Sequence, residues 1–173
     1  MKTYIFPLMF MMFLGSLCAQ PTLDPETGRI PRPDTRPILQ VSGDIEITSD
    51  GKTAYMSYEQ LKTFPQHTVE IKKPWFDRER VQSGPLLRDV LHFLKAKGDN
   101  IKAVAYNDYH TSIPVSDAYK FPIVLAIDLV DKPMPVREMG PIFITYPLST
   151  DPTLRKELYY SRSVWQVKTL TIE

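Results

Sequence analysis

One cysteine stands in the 173 residues, at Cys18, and glycine is also scarce, with seven. A chain with a single thiol cannot close an internal disulfide, so its core must suffice without covalent staples. Charge of one sign is missing too: twenty-one Lys and Arg stand against twenty Asp and Glu. No basic stripe breaks that balance, which argues against nucleic acid as a partner, because phosphate neutralisation needs clustered Lys and Arg. No apolar run reaches the roughly 20 residues that span a bilayer. Absent as well are a Gly-rich phosphate loop, H-E-x-x-H, G-x-S-x-G and C-x-x-C. His67, His92 and His110 are scattered, and no pair of them has metal-ligand spacing.

What is present begins with the order of a secretory signal. Lys2 is followed by the apolar run from Tyr4 to Leu14 and the small-residue stretch from Gly15 to Gln20. The expectation is a signal peptide over 1–19, cleaved after Ala19, export to the periplasm and a cysteine-free mature domain. Lipidation at Cys18 is the alternative, and bulky Leu17 before it disfavours that reading. Removing Lys2 with the signal brings the mature net charge close to zero. About 150 residues remain, enough for one domain with a proper core.

Residues 20–37 carry five prolines and read as a flexible or extended leader, with the domain proper over 38–173. Alternation predicts a strand over Ile38 to Thr48, bent at Ser42-Gly43. A short strand end is expected at Ala54 to Ser57. Ser57 and Gln60 have capping-box spacing ahead of a short helix that ends at Pro65. Thr68 to Lys72 reads as a strand and Lys73 to Gln82 as a loop. The clearest helix runs from Pro85 to Lys97, with Leu87, Val90, Leu91 and Leu94 on one face and Gly98 as its C-terminal cap. Strands are expected over Ile101 to Tyr106, Tyr109 to Pro114, Ile123 to Ile127, Ile142 to Tyr146 and Val164 to Ile172. Asp128 to Gly140 reads as a long connection, and Asp151 to Arg162 as a long loop or short helix. The expected class is α+β, mostly strand, with one main helix and short helices.

Certain words in this order resemble the molybdopterin-binding domain of the sulfite oxidase family. They are Gly84, Leu87, Asp89 and Leu91 at the start of the main helix, and Asp108-Tyr109 after a strand. Then come Leu125-Ala126, Gly140-Pro141, Pro147, and Trp165, Val167 and Leu170 near the end. The resemblance covers residues 40 to 173 and implies that family's mixed sheet core. Enzymes of the family hold molybdenum through a cysteine thiolate in the loop after the strand matched by Thr68 to Lys72. This chain has Lys72, Lys73 and Pro74 there, and neither an ammonium nor an imide ring replaces a soft thiolate. The resemblance therefore implies a pterin ligand, free or molybdopterin-like, without molybdenum and without catalysis. Small exported members of the superfamily imply a partner too: the periplasmic domain of an inner-membrane signalling protein of the cyclic-di-GMP type. An oxidoreductase using Ser83 or a solvent oxygen as metal ligand, and an interaction domain with no ligand, are the competing readings.

A pterin is a flat ring with a donor-rich N2/N3 edge and an acceptor O4. Trp75 and Phe76 offer stacking area, or else pack their loop on the sheet. Asp77 or Asp108 can accept from the N2/N3 edge, although Asp108 also suits a turn after Asn107. Tyr109 can stack or donate, or face the core. Arg162 and Ser163, just before the last strand, can donate to O4, and Arg162 equally suits a surface ion pair. Tyr159 and Tyr160 can line the mouth. Trp165 is expected in the core.

Overall fold

The computed structural model describes residues 20–71 and 79–173. The architecture is mixed α and β, mainly strands, with four α-helices among the described residues. In chain order the strands are β1 (Leu39–Gly43), β2 (Thr53–Met56), β3 (His67–Ile71), β4 (Arg80–Gly84), β5 (Asn100–Ala105) and β6 (His110–Pro114). They continue with β7 (Val124–Ala126), β8 (Asp128–Leu129), β9 (Lys132–Pro133), β10 (Phe143–Thr145) and β11 (Val167–Ile172). The helices are α1 (Tyr58–Lys62), α2 (Leu87–Phe93), α3 (Val115–Lys120) and α4 (Glu157–Arg162), of which α2 is the longest.

A five-stranded sheet runs β2-β1-β11-β5-β6. β11 lies parallel to β1 and antiparallel to β5, with Leu170 opposite both Val41 and Ala103. Inward residues of this sheet share one core with the apolar face of α2: Leu87, Val90, Leu91 and Leu94 are all buried beside Val41, Ile101, Ala103 and Leu170. The four-stranded sheet β3-β4-β8-β9 and the pair β10-β7 build a second, smaller cluster around Ile71, Leu86, Val124, Ala126, Met134 and Phe143. Residues 20–37 lie against the first core, with Ile30 buried in it and its N–H donating to the Thr48 carbonyl at 3.0 Å.

Several local expectations hold. Ser57 caps α1, and the reciprocal Ser57–Gln60 bonds are both formed. Gly43 is the bend in the first strand, at φ +92. The expected continuation to Thr48 is corrected: the strand ends at Gly43, the chain leaves the sheet, and the Glu46 and Ile47 N–H groups donate to the Leu94 carbonyl instead.

Other expectations are corrected. Residues 80–82 are not loop but part of β4, paired along its length with β3. Its inward residue is polar Gln82, fully buried with Nε2 3.4 Å from the Met134 sulfur, so no apolar alternation marks the strand. The main helix is shorter than 85–97. Leu86 is extended and bridges Val124, which delays the first turn past Pro85. At the other end Lys95, at φ +53, takes the left-handed position, and the Ala96 N–H reaches back to the Leu91 carbonyl. Gly98 is needed for another reason: a Cβ there would stand 2.4 Å from the Glu173 carbonyl oxygen. The long connection holds a hairpin, β8-β9, whose turn residues Val130 and Asp131 both have positive φ. Trp165 is 40% exposed rather than buried. Gln166 at φ +54 breaks the alternation, so Trp165 does not share the inward face of Val167.

Candidate functional site

The β3–β4 hairpin ends at a cleft of about 340 Å³, within the size range of small-molecule sites. Glu70 and Ile71 approach it from β3, and Glu79 from the residue before β4. Thr145 and Tyr146 line it from the end of β10, Leu148 to Thr150 and Arg155 from the following loop, and Tyr160 from α4.

The far wall is a loop closed on itself. Asp151 takes the Thr153 side chain and N–H on one oxygen, which holds its carboxyl below the usual range. Arg155 turns inward on that loop, donating from Nε to the Leu148 carbonyl at 2.8 Å and from Nη2 to the Ser149 carbonyl at 3.0 Å. The Ser149 hydroxyl donates to the Glu70 carbonyl and so ties this loop to β3 across the cleft.

Tyr146 connects the cleft to the interior. Its hydroxyl donates to Asp117 Oδ2 of α3 at 2.8 Å, and Arg162 Nη1 of α4 donates to the same oxygen at 2.8 Å. Burial, then the bond to Asp117, raises the Tyr146 hydroxyl well above its ordinary pKa. Tyr159 packs behind it, ring centroids 5.3 Å apart, and Phe121 closes the aromatic group at 6.1 Å from Tyr146.

The structure brings together only some of the residues singled out from the sequence. Tyr109 donates its hydroxyl to the Ser161 carbonyl at 2.9 Å, Ser163 donates to the Tyr159 carbonyl at 2.8 Å, and Arg162 holds Asp117. All three therefore fasten α4, which carries Tyr160 at the cleft. Asp108 turns elsewhere, at φ +63 in the β5–β6 turn, with its carboxylate 3.1 Å from Lys168 Nζ. Trp75, Phe76 and Asp77 lie outside the described residues, between Ile71 and Glu79 of the cleft. The cleft residues that sequence reasoning missed are Glu70, Glu79, Tyr146 and Arg155. Tyr146 and Arg155 carry no motif, and Glu70 reads only as the polar position of an alternating strand.

Two carboxylates and the Tyr160 ring beside an apolar floor of Ile71 and Leu148 suit a flat, polar heterocycle. The carboxylates match a donor-rich edge and the Tyr160 ring a π-face. The same donor set does not fit molybdenum held by a thiolate, since no described residue is a cysteine. Among the described residues no three of His, Cys, Asp and Glu converge on a common point, and no helix is long and apolar enough to cross a membrane. Compared with known proteins, the chain matches no family model and no curated protein.

Proposed function

We propose that this protein is an exported, non-catalytic pterin-binding protein with a sulfite oxidase-like core. It acts as a ligand-sensing accessory to a membrane signalling partner. The observation that carries the reading is the placement and chemistry of the cleft. It opens beside Ile71, where β3 ends, and the family that the sequence resembles carries its metal-ligand loop after the strand matched by Thr68 to Lys72. The cleft offers carboxylates for the N2/N3 edge and Tyr160 for the ring face; in the sequence, Lys72, Lys73 and Pro74 stand where that family has its cysteine. A pterin would lie between Tyr160 and the hairpin, oriented by Glu70 or Glu79.

Mass spectrometry of small molecules released from protein purified from its native host tests this, run with metal analysis of the same sample. A reduced or oxidised pterin near one per chain, without molybdenum, is the expected result. Stoichiometric molybdenum would replace the reading with an oxidoreductase. If no pterin is released and added pterins leave the thermal midpoint unmoved, the protein is not a pterin binder.

A further inference from the structure

A second cleft, of about 400 Å³, lies away from the first and shares no residue with it. Its lining is Arg36, Pro37 and Ile38 from the approach to β1, Tyr106 from the end of β5, Val136 and Pro141. Val136 is 58% exposed and Tyr106 40% exposed, so the apolar surface faces solvent.

One residue holds these walls in place. The Gln166 carbonyl accepts from the Tyr106 N–H at 2.9 Å, its own N–H donates to the Met139 carbonyl at 2.9 Å, and its side-chain amide donates to the Val136 carbonyl at 2.8 Å. The left-handed backbone at Gln166 makes all three bonds available at once. The groove is thus preformed by backbone contacts, so a bound segment would spend little on ordering it.

Charge around the groove is unequal. Asp108, two residues past Tyr106, is taken up by Lys168, and Glu138, two past Val136, by Arg80. Asp34 faces the neighbouring hollow formed with Arg32 and Gln60. Arg36 in the lining and Arg137 beside Val136 have no ion-pair partner among the described residues and are exposed. Rigid proline and tyrosine walls with the Arg36 guanidinium in the lining, and exposed Arg137 one residue past Val136, fit an apolar side chain with a carboxylate next to it.

We propose that this groove docks an extended segment of a partner protein in which an acidic residue flanks an aliphatic or aromatic one. The inference stands on the groove's own geometry and does not require a pterin in the other cleft.

Selection of random short peptides displayed on phage against the purified protein tests it. The expected peptides carry Asp or Glu beside an apolar residue. Val136→Asp, and Arg36→Glu combined with Arg137→Glu, each weaken such a peptide about tenfold or more. A distant charge change, Glu46→Ala, leaves it bound. Circular dichroism and thermal melting establish that the variants fold, since every altered side chain is exposed. Failure to enrich any peptide, enriched peptides without a carboxylate, or affinities unchanged in the groove variants would each overturn the proposal. So would light scattering that shows a dimer abolished by Val136→Asp, which would give the groove to a second copy of this chain. Pterin release is read separately, so the failure of one proposal leaves the other standing.

Discussion

Asp117 and Asp128 are two buried carboxylates held in the same way, each by one tyrosine hydroxyl and one cation. Asp117 takes Tyr146 and Arg162, and Asp128 takes Tyr58 and Lys62, all four bonds at 2.7 to 2.8 Å. The surroundings differ. Tyr58 and Lys62 stand one turn apart on α1, so a single helix face serves Asp128. The partners of Asp117 come from the end of β10 and from α4, so the cluster pins three separate segments. The cations differ as well: the Arg162 side chain is 18% exposed and the Lys62 side chain 38%. The first cluster backs the wall of a cleft, and the second fastens a helix to a sheet. Identical chemistry therefore has two uses, decided by how many elements meet at the carboxylate.

The largest effect is expected from Arg162→Met. It leaves Asp117 buried with one partner and should cost about 3 kcal/mol in urea unfolding. A loss below that of Lys62→Met would reverse the ranking of the two clusters. Next comes Tyr146→Phe, which removes one bond and keeps the ring. A cost of about 1–2 kcal/mol is expected, together with weaker binding of added pterins in a thermal-shift titration. Unchanged binding would disconnect the cluster from the cleft. Lys62→Met should cost about 1 kcal/mol, because the Lys62 ammonium, at 38% side-chain exposure, already shares its charge with water although Asp128 itself is buried.

The smallest contrast lies in alkali. Burial, followed by the bond to Asp128, raises the Tyr58 hydroxyl to about 12, from an unfolded value near 10.0. The folded protein thus holds this proton more tightly than the unfolded chain. Its contribution is complete below about pH 10 and is lost as pH rises toward 12. Thermal midpoints should fall over that window, and Tyr58→Phe should flatten the fall. An equally steep fall in the variant would assign the loss to Tyr146, which is raised in the same direction.

Local features were legible where one residue type has one geometric meaning. The Ser57–Gln60 box starts a helix, the leucines of α2 share a face, and Ser42-Gly43 marks a bend. Features decided by distant partners were not. β4 shows no alternation because its inward side chain is Gln82, whose Nε2 meets the Met134 sulfur fifty-two residues later. Tyr146 reads as the end of an apolar strand until Asp117, twenty-nine residues earlier, claims its hydroxyl. Arg162 and Ser163 stand out from the sequence as polar groups before the last strand. Their partners in α3 and α4 are visible only in three dimensions. The cleft itself joins segments between Glu70 and Tyr160, and no short word in the chain encodes that meeting.

The order of the large sheet has a consequence for how the chain is made. β11 sits at its centre, between β1 and β5, although more than a hundred residues separate it from β1. Until Val167–Ile172 leaves the ribosome, β1 and β5 have no strand between them and the main core stays open. Such non-local closure slows folding. For the exported protein proposed above, that delay keeps the chain threadable during transit, and the sheet zips shut only on the far side.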